Sequence, residues 1–234
     1  MKRLFLLVII FATSSLLAQQ PTAVNTPTKG GTKVSYSFDW PQGIPWTSFS
    51  ISIQADGTAS FQGTPHPEQN NSDTDPVTQE FTISPSNREK IFQLAETLNY
   101  FRGDLDSHLK HIAQTGKKTL RYNSSQIEGS ATFNWSQNPD VQQLVHLFTG
   151  IATTIDYGRK LAFQYRFDKL GMDQRLKELE ELQASHDAVE LRLIAPMLRK
   201  IAADPNLMNI ARQSAKHLLE NMNEPAGSAT PGQQ

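Results

Sequence analysis

No cysteine occurs in the 234 residues. That absence excludes disulfide bonds, thiolate nucleophiles, thiolate metal sites and the lipid attachment of a lipoprotein, so stability has to come from an apolar core. A charge excess of either sign is missing too: 22 lysines and arginines stand against 23 aspartates and glutamates. So balanced a chain offers no electrostatic footprint for nucleic acid. Beyond residue 18 there is also no apolar run long enough to span a bilayer.

What is present starts with Lys2 and Arg3, the run LFLLVIIFA, and TSSLLA ending at Ala18. This order is that of a secretory signal peptide over residues 1–18, with cleavage expected after Ala18. A retained anchor is the alternative, because Leu16 stands where alanine is more usual before a cut. Without Lys2 and Arg3, 20 basic face 23 acidic side chains, a net charge of −3. Residues 19–32, QQPTAVNTPTKGGT, and 223–234, which include EPAGSATPGQQ, have little to bury and read as a disordered linker and tail. The body between them is expected in the periplasm or outside the cell, with no stable membrane span after cleavage.

Within the body the hydrophobic period changes once. VSYSF (34–38) and TSFSISI (47–53) alternate apolar and hydroxyl side chains, which puts Phe49, Ile51 and Ile53 on one face of a strand. ADGT (55–58) predicts a two-residue hairpin turn with positive φ at Asp56 and Gly57, and TASFQ resumes the alternation. GTPHPEQNNSDTDP (63–76) reads as a polar loop and VTQEFTI as a third strand. Ser84 as N-cap and Pro85 at the first helical position then open a helix carrying Ile91, Phe92, Leu94, Ala95 and Leu98. KKTLRY (117–122) and GSATFNW (129–135) predict two further strands. From Pro139 the period becomes 3.6, with Val141, Leu144, Val145, Leu147, Phe148, Ile151 and Ile155 in one broad stripe.

The pattern predicts an α+β fold: an antiparallel β-meander with a packed helix over 33–158, followed by an all-α helical-hairpin region over 159–222. Helices are expected at 172–184, 187–202 and 206–222, the last with Asp204 as N-cap and Pro205 behind it. The last two form a hairpin, 187–222.

Chemical motifs are few. HIAQTGKKTL (111–120) has His111 where a phosphate-binding loop needs its first glycine and Lys118 where it needs a hydroxyl, so it reads as a turn at Gly116 with two lysines on a strand edge. Were 104–113 helical, Asp104, His108 and His111 would share a face and could hold a divalent metal. Leu105, Leu109 and Ile112 would then define the buried side and leave the histidines solvated. His66, His146, His186 and His217 are isolated. No serine sits in G-x-S-x-G, and no Ser-x-x-Lys pair has its supporting motifs. Asp104 and Asp106 read as turn formers. Tyr36, Phe38, Trp40 and Trp46 could line a ligand surface but are expected to pack one end of the sheet. In RKLAFQYRFDKLGMD (159–173) basic and aromatic residues interleave, a pattern that suits nucleic acid or an anionic surface. The acidic total disfavours nucleic acid, and Leu161, Phe163, Phe167 and Leu170 are expected to bridge the two parts of the chain.

Two resemblances follow. Pro196, Asp204, Arg212, Ala215 and Leu218 look like one unit of a HEAT-type repeat, in which Asp and Arg tie the turn to the helix. One unit is no solenoid. The blocks IQADGTASFQG, AQTGKKTL, FNWSQNPDVQQLVHLFTGI, TIDYGRKLAFQYRFDKLGMD and LIAPMLRKIAADPNLMNIAR resemble an uncharacterised family of exported bacterial proteins with a small α+β domain. This implies fold and compartment and carries no activity.

Two functions are therefore expected in competition. One is a non-catalytic envelope module that offers a groove or face of its helical region to a protein or peptide, without cofactor. The alternative is a metal-dependent hydrolase of a periplasmic polymer using Asp104, His108 and His111.

Overall fold

A computed structural model describes residues 31–39, 45–67 and 75–222. Trp40 and the stretches expected to be a signal peptide, most of a linker and a tail lie outside them. Six strands form one antiparallel sheet: β1 (Lys33–Asp39), β2 (Trp46–Gln54), β3 (Thr58–Pro65), β4 (Val77–Thr82), β5 (Lys117–Asn123) and β6 (Glu128–Phe133), in the order β4-β3-β2-β1-β5-β6. Alternation along β1 puts Val34, Tyr36 and Phe38 on one face, opposite Ile53, Ile51 and Phe49 of β2 and Tyr122, Leu120 and Lys118 of β5. Cross-strand apolar contact on this face sets the register, because a one-residue slip would turn every one of these side chains to water.

The hairpin between β2 and β3 differs from the sequence expectation. Three residues, Ala55 to Gly57, connect the strands, and only Gly57 (φ +95°) is left-handed. Asp56 instead accepts a hydrogen bond from the Thr58 amide at 2.8 Å, which fixes the turn without strain on its own backbone. β5 is no edge strand either: it pairs with β1 and β6.

Two helices cover the apolar face. α1 (Pro85–Thr97) starts at Ser84, whose hydroxyl accepts from the Asn87 amide, with Pro85 where no donor is needed. It buries Ile91, Leu94 and Ala95. α2 (Pro139–Phe167) lays Leu144, Phe148 and Ile151 on the sheet; Phe148 stacks on Tyr36 at 5.2 Å, and the Trp46 indole donates to the Ala152 carbonyl at 3.3 Å. Tyr36, Phe38 and Trp46 are thus core residues, as the packing argument required.

α2 runs unbroken past residue 158, but its core changes between Ile155, which packs with the sheet, and Leu161, which packs with α3 (Met172–Ala184), α4 (Ala195–Ala203) and α5 (Asn209–Asn221). At the change Asp156 is fully buried and paired with Arg159 (3.0 Å) and Lys160 (2.9 Å). The segment from Val189 to Ile194 crosses α2 so closely that a Cβ at Gly150 or Gly158 would lie 2.5 Å from Val189 or Ile194.

The hairpin begins later than its sequence suggests. Residues 191–194 form a 3-10 turn, and Pro196 sits in the first turn of α4 instead of inside a longer helix. α5 starts at Asn209 with Met208 before it and no side-chain cap. Asp204 is not its N-cap. That carboxylate accepts from the Asn206 amide (2.9 Å), the Tyr165 hydroxyl (2.8 Å) and Lys169 Nζ (3.4 Å), and Arg212 donates to Asn209 (3.4 Å). The tie of this turn is therefore to α2 and its exit, where a HEAT-type unit would use its own second helix.

Candidate functional site

The segment 103–116 does not form the helix on which a metal site depended. Asp104 accepts from the Asp106 amide (3.0 Å) and Asp106 from the His108 amide (2.7 Å), two local turns that compete with helical bonding. His108 (φ +49°) and His111 (φ +64°) are left-handed, which no right-handed helix allows. The second oxygen of Asp106 accepts from the Asn134 amide at 2.7 Å, and this holds the loop to the end of β6. Asp104 does meet His108, through Nε2, but both are mostly exposed. The contact lowers the carboxyl pKa of Asp104 and raises that of His108. Asp106 is lowered first by the Asn134 amide. His111 does not join them, and no group of three potential ligands stands among the described residues.

The next loop-anchored feature is Lys118. Strand alternation puts it on the apolar face, where it lies opposite Phe38 and Phe133 and is 7% exposed. Its ammonium sits over the Phe38 ring (4.7 Å to the centroid) and donates to the Thr115 carbonyl (3.2 Å), the Thr115 hydroxyl (3.0 Å) and the Asn134 carbonyl (2.9 Å). All three protons are engaged, so Lys118 is a clamp that ties the 103–116 loop to the sheet. A hollow of about 310 Å³ beside it is lined by Phe133, Trp135, Val141 and Val145.

Burial pushes the Lys118 ammonium down to about 8, against the opposing pull of Asp106. Unfolded, the same group holds its proton to about 10.5. Between those values the unfolded chain binds more protons, so stability rises with pH across the window. Urea midpoints below 8 and at about 9.5 should show that rise, and Lys118→Met should flatten it. An unchanged slope in the variant would remove Lys118 as the cause.

The outer face of the sheet is polar throughout. One cross-strand row runs Glu80, Ser60, Ser52, Ser35, Arg121, Ser130, and the next Thr78, Gln62, Ser50, Ser37, Thr119, Thr132. Neighbours bond to each other, as Ser35 to Ser52 and Thr119 to Thr132, both at 3.0 Å. Two hollows of about 590 and 660 Å³ on this face share Lys33, Ser52 and Asn123. Polar along every strand, the face is the hydrated side of an antiparallel sheet.

The surface that departs from an ordinary soluble protein is at the far end of the helical region. Phe163, Phe167 and Leu170 were expected to bridge the two parts of the chain, but only Leu161 is buried. Phe167 is 68% and Leu170 78% exposed. Met208 and Ile210 are exposed at the same end, since Asp204 binds Tyr165 and Lys169. Five of the seven large apolar side chains exposed among the described residues are therefore at this end of the helical region. The hollow between α3 and α5, by contrast, is lined by polar groups such as Glu180, Gln213 and His217.

Comparison supplies no template for this surface. No family model matches the chain, and no curated protein does. Its sequence signal was the basic and aromatic interleaving of 159–173. Periodicity could not show which of those aromatics the partner helices would reach.

Proposed function

We propose that the chain is an exported, non-catalytic contact module of the cell envelope, and a member of the exported bacterial family its sequence blocks resemble. The α+β part is the scaffold, and the helical region holds another envelope component, a protein, a peptide or the bilayer itself, against its apolar end. The observation that carries this reading is the gathering of Phe163, Phe167, Leu170, Met208 and Ile210 at one exposed end. The scattered ionisable groups agree with it: Asp104 and His108 lie on an open loop, and Lys118 spends its protons on the fold.

The test is a photo-cross-linking side chain at Leu170 in the cell that makes the protein, with one at Ser50 on the outer sheet face as control. Adducts at Leu170 and none at Ser50 are expected. Failure of Leu170 to exceed Ser50 would overturn the reading.

A further inference from the structure

The geometry points to the occupant of this end: the surface of an anionic lipid bilayer. The inference rests on the reading that the end of the helical region is a contact surface, and it names what that surface touches.

Shape is the first argument. Residues 166–170, RFDKL, are all exposed where α2 ends and the chain turns into α3. Phe163 and Phe167 contact each other (centroids 5.0 Å apart), so the two rings and Leu170 make a protruding apolar knob. The hollows described above lie elsewhere, and a knob without a recess suits a soft phase that can close around it.

Charge is the second. Arg166 lies over the Phe167 ring (5.3 Å), while Lys169 and Lys200 lie over Tyr165 (5.1 and 4.3 Å). Arg166 and Lys200 are exposed cations on apolar stems beside the knob, and Lys169 is shared between the Tyr165 ring and the Asp204 carboxylate. Of the nearby carboxylates, Asp168 is exposed but accepts from the Gly171 amide, and Asp204 is taken by Tyr165, Lys169 and Asn206. The Asn206 amide and the Tyr165 hydroxyl hold the Asp204 carboxyl down to about 2, so it stays engaged at neutral pH. Aromatic and leucine side chains below a collar of arginine and lysine are the chemistry of a segment that seats at the headgroup level. Among the described residues no helix is long and apolar enough to cross a membrane, and this end meets the bilayer at its surface. A protein partner would need both an apolar socket and an acidic rim; a bilayer carrying anionic headgroups supplies both at once.

Co-sedimentation of the chain from residue 19 onward, which keeps every described residue, with vesicles of phosphatidylcholine alone and of equimolar phosphatidylglycerol and phosphatidylcholine tests this. Binding to the anionic vesicles and little to the neutral ones is expected, weakening as salt rises. Phe167→Ser with Leu170→Ser should lower the partition coefficient at least about tenfold, and Arg166→Gln about fivefold. Both change exposed side chains, and an unchanged melting temperature would certify the fold. No vesicle binding, or equal binding by the Ser variant, would overturn the inference. A protein adduct at Leu170 in the cell without vesicle binding would do the same and leave the contact-module reading standing.

Discussion

Gly129→Ala is expected to unfold a large fraction of the protein's stability, by about 3 kcal/mol or more. A Cβ built at Gly129 lies 2.0 Å from the carbonyl oxygen of Tyr100, 2.9 Å from Arg102 Cγ and 3.1 Å from the Tyr100 carbonyl carbon. The Arg102 side chain is exposed and can move, but the Tyr100 backbone cannot. Asn99, Tyr100 and Phe101 form a left-handed turn, φ +50°, +56° and +63°, which costs about 1–2 kcal/mol per residue for L-amino acids. It persists because Phe101 is fully buried, Tyr100 packs on Tyr122 (4.7 Å), and Arg102 Nε donates to the Glu128 carbonyl (3.0 Å). Moving Tyr100 outward loosens all three. Gly103→Ala is the control: nothing lies within 4 Å of its Cβ position, and a gain of about 0.4–1 kcal/mol is expected from the stiffer unfolded chain. Urea midpoints of the two variants decide the matter, and similar values would mean that the 99–101 turn yields freely.

That turn also marks the limit of what the sequence discloses. Strands, faces and the change from period two to period 3.6 follow from alternation, because burying one face of a sheet leaves few other solutions. Lys118 is missed: the sequence reading puts both lysines on a strand edge, whereas the alternation along β5 places Lys118 on the buried face with Leu120 and Tyr122. The left-handed run NYF contains no glycine, and only its tertiary contacts select it. The 103–113 loop defeats a helical reading because Asp104 and Asp106 divert the backbone amides. Asp204 fails as a cap because Tyr165 and Lys169, some 35 to 39 residues away, claim its carboxylate. The exposed apolar end was half legible. Its residue types stand out in 159–173, but the helices that bury Leu161 do not cover the face of α2 that carries Phe163 and Phe167.

Glu190→Ala should cost about 3 kcal/mol, the second largest effect expected from a single side chain. Glu190 lies between the two cores and is 9% exposed. Its Oε1 accepts from the Ser84 amide (3.1 Å), the Ser84 hydroxyl (2.5 Å) and Asn87 Nδ2 (2.7 Å), at the N-terminus of α1, where the helix dipole also favours a carboxylate. Alanine leaves those donors facing a space that water reaches poorly. Glu190 is itself left-handed, φ +61°, a conformation that glycine adopts about 1 kcal/mol more easily. Glu190→Gly should therefore be less harmful than Glu190→Ala although it removes the same carboxylate, and Glu190→Gln, which keeps an acceptor oxygen, should be the mildest. Guanidinium midpoints in that order would separate the lost hydrogen bonds from the backbone strain. If alanine and glycine prove equal, the left-handed backbone contributes nothing measurable; if glutamine is as damaging as alanine, charge at the α1 terminus outweighs hydrogen-bond count. In either arrangement the helical region is held to the sheet domain through one buried carboxylate as well as through α2.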